Sequence, residues 1–273
     1  MNREAADWEG QGLEELRARW RRPRVLLYSL ADSTNTRAKD LAKSGAMAGT
    51  VVVADAQAAG RGIASRRWHS PAGSGLYLSL ILRPERVPNA RLIPLLAGLG
   101  AARAAERTAV GVRVELKWPN DLIINDRKLG GVLVEGSWTA EEPAWLVIGV
   151  GINVHLQTAD FPDVLQSVAT SLDAAAGRRV SRLALADSLI DELEAACSAL
   201  PERLDQQRLR QIARRDWLRN RRCVLEESGG ETLSGVASGI GPDGALTFTP
   251  DAGPPMAVSV GRIRTDHLLT PEY

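Results

Sequence analysis

Cysteine is nearly missing from this chain of 273 residues: Cys197 and Cys223 stand alone, with no C-x-x-C pair and no histidine at metal-ligand spacing. That excludes a disulfide framework and a cysteine-built zinc site, and it suits a reducing cytoplasm. Aromatic residues are scarce as well, at 4%, so the core must be built mainly from Leu, Val and Ala. Tryptophan is the exception, with seven copies, and the position of each is informative. A surplus of either charge is lacking, with 34 Lys and Arg against 33 Asp and Glu. The whole molecule therefore has no electrostatic pull toward nucleic acid or membrane, and anion binding must come from local clusters. The apolar runs, such as Gly75–Leu82 and Trp145–Val154, fall well short of the roughly 20 residues of a membrane span. The N-terminus has no apolar signal region. The expectation is a soluble, cytoplasmic protein.

What is present divides into three parts. Residues 1–24 read as a polar lead-in with Leu13, Leu16 and Trp20 at helical spacing, ended by Pro23. Its arginines (Arg17, Arg19, Arg21, Arg22 and Arg24) fit a solvated helix face better than a nucleic-acid contact. Residues 25–220 mix strand and helix patterns. Strands are predicted at Val25–Ser29, Val51–Ala54, Leu76–Leu82, Val112–Lys117, Leu122–Asn125, Leu129–Glu135 and Trp145–Val154. Helices are predicted at Thr34–Ser44, Ala90–Thr108, Ser181–Leu200 and Pro201–Arg219. Residues 221–273 change texture, with short β-type segments separated by Gly-Gly, Pro-Asp-Gly and Gly-Pro-Pro turns, the pattern of a small β-barrel.

Four segments carry polar and glycine residues that core building does not require. Asp32-Ser33-Thr34-Asn35 suits a helix N-cap, and equally the grip on a small polar ligand head. Gln57-Ala58-Ala59-Gly60-Arg61-Gly62, continuing to Arg66, Arg67 and Trp68, is either a solvated loop or an anion-binding loop. Its glycines permit close backbone approach, and its arginines match phosphate or carboxylate in a bidentate way. Lys117-Trp118-Pro119-Asn120-Asp121 turns at the rim of a strand and leads into Arg127-Lys128-Leu129-Gly130-Gly131. Paired glycines inside a strand weaken it, which a ligand site explains and a β-bulge explains as well. Gly149-Val150-Gly151-Ile152-Asn153 poses the same choice, with a buried amide that needs partners.

Taken in order, S-T-N, Q-x-A-G-R-G with a downstream W-x-S-P, K-W-P-N-D-L, R-K-L-x-G-x-L-V-E and G-x-G-I-N resemble the biotin–protein ligase family, densely over Tyr28 to His155 and more loosely in the C-terminal part. The resemblance implies an α/β (α+β) catalytic domain related to class II aminoacyl-tRNA synthetases, with a mixed sheet flanked by helices, and an SH3-like β-barrel after it. It implies two half-reactions. The biotin carboxylate attacks the α-phosphate of ATP, with Mg²⁺ held by phosphates and water rather than by a protein cage, and a carrier lysine then attacks the biotinyl-adenylate. By the same match, Ser33, Thr34, Asn35, Gln57, Gly60, Arg61, Gly62, Lys128, Gly130 and Gly131 line the biotin and phosphoryl region. Arg66, Trp68, Lys117, Asn120 and Asn153 attend the nucleotide, with Trp68 packed on the adenine. Lys128 and Arg61 offset the developing charge, and Asp121 orients or deprotonates the incoming lysine.

One departure is plain. The family loop reads G-R-G-R-x-G-R-x-W, whereas this chain has Ile63 and Ser65 at the fourth and sixth positions, which predicts weaker retention of the adenylate. The implied partner is the biotin carboxyl carrier domain of a carboxylase, and family dimers usually pair catalytic domains. Twenty-four residues are too few for a helix-turn-helix with its supporting helix, so a monofunctional enzyme without DNA binding is expected. The alternatives are a lipoate ligase or octanoyl transferase on the same fold, a transcriptional regulator, and a non-catalytic biotin sensor.

Overall fold

A computed structural model describes residues 2–63, 66–139, 142–197, 200–227 and 230–265. Its centre is an eight-stranded mixed sheet formed, in chain order, by β1 (Arg3–Glu4), β4 (Val25–Leu30), β5 (Val51–Ala54), β6 (Gly75–Leu82), β7 (Glu115–Lys117), β8 (Asp121–Ile124), β9 (Arg127–Thr139) and β10 (Glu142–Asn153). The spatial order is β1-β4-β5-β6-β10-β9-β8-β7, with only β4 and β5 parallel. A small hairpin of β2 (Asp7–Trp8) and β3 (Gln11–Gly12) stands apart from it.

Period-two alternation decides what each face of this sheet buries. Val25, Leu27, Val51, Val53, Leu146, Ile148 and Val150 point into the large core. There they meet α1 (Leu13–Trp20), α3 (Leu92–Thr108) and α6 (Arg182–Cys197). Tyr28, Val52, Ala54, Ile81 and Val147 point the other way, against Ala38 and Ala42 of α2 (Thr34–Lys43). The apolar lining of this second face stops partway along the strands, and the polar and glycine motifs begin where it stops.

The lead-in is woven into the domain. Strand β1 extends the sheet beside β4, and Leu16 and Trp20 of α1 are buried. Two of its arginines find acidic partners on α6: Arg19 grips Asp187 and Arg22 grips Glu194, each through two hydrogen bonds. Arg182, buried under the indole of Trp8, pairs with Glu9 and Asp55.

Two predicted elements shorten for tertiary reasons. Strand β7 starts only at Glu115 because the Val114 N–H is taken by the Glu106 carboxylate. Helix α7 covers Gln206–Ala213 rather than 201–219. Leu204 N–H is drawn to the Pro242 carbonyl before it, and Arg215 and Trp217 bond Leu116 as an extended segment after it. The helix predicted to Leu200 is α6, ending at Cys197; residues 198–199 lie outside the described residues. Two short helices, α4 (Asp163–Gln166) and α5 (Leu172–Ala176), follow β10 and have no counterpart in the sequence reading.

The C-terminal part is a five-stranded antiparallel sheet of β11 (Arg221–Glu226), β12 (Thr232–Ile240), β13 (Leu246–Pro250), β14 (Met256–Val258) and β15 (Arg262–Arg264). Its Pro-Asp-Gly turn docks on the main domain. The Gly244 carbonyl accepts from Trp118 Nε1 at 3.0 Å, and the Asp243 carbonyl accepts from Asn89 Nδ2 at 2.9 Å. Gly244 has φ +84°, and a Cβ there would stand 2.8 Å from Leu92, so this turn requires glycine on two counts. Phe248, Leu246, Val258 and Ile263 join the same core as the helices.

Candidate active site

Cross-strand register sets out the floor of the cleft. One row of facing residues runs Ala54, Tyr77, Gly151, Gly131, Asp121, Lys117 across β5, β6, β10, β9, β8 and β7. The next row runs Val52, Ser79, Gly149, Leu133. Glycines sit where side chains would fill the space. A Cβ on Gly149 would fall 1.9 Å from Asn35 Oδ1, and one on Gly151 would fall 2.6 Å from Trp68 Nε1.

Lys128 would face away from Gly131 in a regular strand. A register shift between Leu122 and Ile123 pairs Leu122 with Gly130 but Ile123 with Lys128, leaving Leu129 as the extra residue. This bulge turns Lys128 onto the cleft side. Gly130 sits behind the wall instead, where a Cβ would meet the Gly151 carbonyl at 2.5 Å. Gly60 is likewise structural: a Cβ there would lie 2.5 Å from the Trp68 carbonyl, inside the narrow loop closed by the Trp68 N–H to Gly60 bond. Of the residues named from sequence, Ser33, Thr34, Asn35, Gln57, Arg61, Gly62, Arg66, Trp68, Lys117, Asn120, Asp121, Lys128, Gly131 and Asn153 line one cleft; Gly60 and Gly130 do not.

One end of the cleft is a fixed polar network. Gln57 Oε1 accepts from the Thr34 N–H at 2.9 Å, and Gln57 Nε2 donates to Ser70 Oγ at 2.9 Å. Ser79 Oγ lies 2.7 Å from Asn35 Oδ1 and 2.9 Å from Thr34 Oγ1. Asn35 Nδ2 donates to the Leu133 carbonyl and to Glu135. Ser33 starts α2 without its hydroxyl capping the helix, so that side chain is not consumed by the N-cap role. Glu135 binds Lys39 at 2.6 Å and Arg61 at 3.2 Å. Burial alone would push its carboxyl up, but the hydrogen bonds from Lys39 and Asn35 and the nearby cations hold it below the usual range.

The opposite end is cationic. Lys128 Nζ is 2.6 Å from Asp121 Oδ1 and 5.6 Å from the centre of the Trp68 ring, a cation–π distance. Trp68 thus stands beside the lysine, against Gly151. Lys117 is buried, and desolvation lowers its ammonium to about 8 despite the favourable charge of Asp121, with Lys128, Arg262 and Arg66 adding to the lowering. Asn120 Nδ2 donates to the Val132 carbonyl and Asn153 Nδ2 to the Thr170 carbonyl, which fixes both amides.

Several lining residues were not read from the sequence. Phe161, Leu165, Val168 and Ala169 form an apolar recess, and the Lys128 N–H and carbonyl bond the backbone of Val168 and Thr170, which ties that recess to the lysine. Gly261, Arg262 and Ile263 reach the cleft from the C-terminal sheet. Tyr77 could have been found from strand alternation, since it stands opposite Gly151 across the sheet. Phe161 and Arg262 carry no such signal.

The cleft thus combines a rigid polar end, a lysine–aspartate pair, a set of cations and an apolar recess. Residues 26–153 match the model of the biotin/lipoate A/B protein ligase family. The chain is 42% identical over 160 residues to the bifunctional ligase/repressor BirA of Bacillus subtilis, covering 58% of this chain and 49% of that protein. It is 30% identical over 241 residues to the biotin–[acetyl-CoA-carboxylase] ligase of Paracoccus denitrificans, covering 83% of this chain and 95% of that one. The structure of the biotin protein ligase of Aquifex aeolicus in complex with biotin and ATP superposes with a TM-score of 0.76 at 26% identity, over 89% of this chain and 98% of that one. The chain belongs to the biotin/lipoate A/B protein ligase family. It spans about half the length of the first curated relatives it matches.

Proposed function

We propose that this chain activates biotin with ATP to biotinyl-5′-AMP and transfers the biotinyl group to a lysine of a carboxylase carrier domain. The observation that carries the reading is the placement of Lys128, paired with Asp121, on the strand of Gly131 and beside the strand of Gly151, the two glycines of the floor. The fixed donors and acceptors of Thr34, Asn35, Gln57 and Ser79 suit a ureido head, and the apolar floor suits its tail. The acid group then arrives at Lys128, where a cation offsets the repulsion between carboxylate and phosphate. Lys117, Arg66 and Arg262 surround the phosphates, and Trp68, Asn120, Asn153 and the Phe161 recess receive the nucleoside. Asp121 is freed when the carboxylate takes over Lys128, and it is then placed to accept a proton from the incoming ammonium.

Asp121 is the sole carboxylate among the described residues lining the cleft, and no described cluster of three or more His, Cys, Asp or Glu is able to hold a metal. These residues fit Mg²⁺ that arrives on the triphosphate, where it would neutralise phosphate charge, with Asp121 as the one carboxylate of the described lining that could hold it. Among the described residues no helix is long and apolar enough to cross a membrane. The pairing of Arg19 and Arg22 with α6 supports a packing role for that segment rather than DNA contact.

Biotin-dependent exchange of pyrophosphate into ATP, followed by transfer to a purified carrier domain, tests the reading. Exchange that depends on lipoate and not on biotin would move the chain to the other branch of the family.

A further inference from the structure

Strand β10 runs out of the cleft into a contact that the chemistry above does not use. His155 Nδ1 lies 2.8 Å from Asp173 Oδ2, with the two side chains 9% and 11% exposed. A carboxylate only accepts, so the ring presents an N–H at Nδ1. Asp173 is engaged on every side: its Oδ1 accepts from the Val180 N–H at 2.8 Å, and its own N–H donates to the Val154 carbonyl at 2.9 Å. The N–H groups of Val154 and His155 both donate to the Ser74 carbonyl. Neither His155 nor Asp173 lines the cleft.

What the pair holds is the stretch before α5, and that stretch flanks Lys128. The Lys128 N–H donates to the Val168 carbonyl at 2.7 Å, the Thr170 N–H donates to the Lys128 carbonyl at 2.9 Å, and Ala169 between them forms a parallel bridge with the lysine. Three bonds tie residues 170–173 back to the end of β10. They are Asn153 Nδ2 to the Thr170 carbonyl, the Asp173 N–H to the Val154 carbonyl, and the His155 ring to the Asp173 carboxylate. Asn153 lines the cleft, and the proposed function shares it with the nucleotide. The backbone bond alone is one point, about which the stretch can pivot. The ring bond is the second point, and no ligand competes for it. Helix α5 itself does not need it, since Ser171 Oγ caps the helix and Leu172 is fully buried in the main core. We propose that His155 is a positioning residue, which through Asp173 holds the stretch 168–170 in register and so fixes the backbone from which Lys128 reaches the reacting carboxylate and phosphate. This rests on the ligase reading above and deepens it, by giving the lysine a support outside the cleft.

The test compares His155→Leu, which removes the donor, with His155→Asn, whose amide N–H stands at about the reach of Nδ1. In biotin-dependent pyrophosphate exchange, His155→Leu is expected to lower kcat about tenfold to a hundredfold with KM for biotin within about twofold, as a small misplacement of the reacting groups predicts. His155→Asn should recover most of that loss. A second readout needs no turnover: the Lys128 and Thr170 amides should exchange hydrogen about tenfold faster in His155→Leu, while Gly149 and Gly151 in the β10 ladder keep the parent rate. An unchanged kcat, an asparagine variant as impaired as the leucine one, or Lys128 and Thr170 amides that exchange at the parent rate overturns the proposal and leaves the ligase reading intact. Absence of exchange of pyrophosphate in the wild-type protein sinks the ligase reading, and the amide rates then decide the support role alone. If His155→Leu does not fold, His155→Ser, too short to reach Asp173, takes its place under the same criteria.

Discussion

Lys128 and Asp121 hold each other at 2.6 Å because a bulge in β9 turns the lysine onto the face where the aspartate stands. In the proposed reaction the pair unites the two half-reactions: the cation would serve the activation step, and the carboxylate the transfer step once the cation is engaged elsewhere. Lys128→Met is expected to lower pyrophosphate exchange by about 10²–10³-fold, the usual loss for one transition-state charge partner. Asp121→Asn should slow single-turnover transfer from preformed biotinyl-adenylate to carrier more than it slows exchange. Equal losses in both assays would deny the division of labour.

The glycine floor predicts a steric result. Gly149→Ala places a methyl group where Asn35 now sits, with no space to give. KM for biotin is expected to rise at least about tenfold with KM for ATP nearly unchanged, since the clash lies at the polar end and a 1 Å displacement there is costly. Isothermal titration with biotin alone would report the same loss without catalysis.

Much of this floor was legible before any coordinates, and the reason is period two. Gly149, Gly151 and Asn153 interrupt an apolar strand at alternate positions, and β10 does put all three on one face. The competing explanations for Gly130-Gly131 both apply: the bulge exists, and it is what brings Lys128 to the cleft. Less legible was anything decided by packing at long range. The segment 201–219 reads as one helix, but bonds to Pro242 and Leu116 claim both of its ends. Arg262 and Phe161 enter the site from elements whose local sequence has no reason to reveal it.

Lys117 predicts a pH dependence for the proposed reaction. Its ammonium is lowered to about 8 by burial, so the positive charge that the proposed function sets against the phosphates is lost as pH rises through that value. KM for ATP should increase above about pH 8, and Lys117→Arg, which stays charged, should remove the break. For stability the sign is opposite. A lysine normally near 10.4 binds more protons unfolded than folded between about 8 and 10.4, so Lys117 makes the protein more stable as pH climbs through that window.

Asp216 predicts a substitution that strengthens the fold. Burial raises its carboxyl to about 6, and its Oδ2 has no partner among the described residues. An acid raised above its unfolded value costs stability once it ionises, so the cost is present at pH 7 and fades as pH falls from about 6 to about 4. Asp216→Asn keeps the oxygen that accepts from Leu218 N–H and removes the charge. Its melting temperature should exceed that of the parent at pH 7, and the two should converge near pH 4.

The loop departure predicts a leak. Ile63 is 47% exposed and borders the cleft at a position where the family carries arginine; Ser65 falls outside the described residues. Wild-type protein given biotin and ATP should release biotinyl-adenylate and label lysines of a bystander such as serum albumin. Ile63→Arg should suppress that labelling. Clean retention by the wild type would disprove it.

The cleft is assembled from both ends of the described chain, since its walls include Ser33 at the start of α2 and Ile263 in β15. No contiguous half owns it. A polypeptide that ends before the C-terminal sheet lacks the wall formed by Gly261, Arg262 and Ile263. Closure of the cleft is therefore a property of the two sheets folded together, and cutting the chain between them would open it.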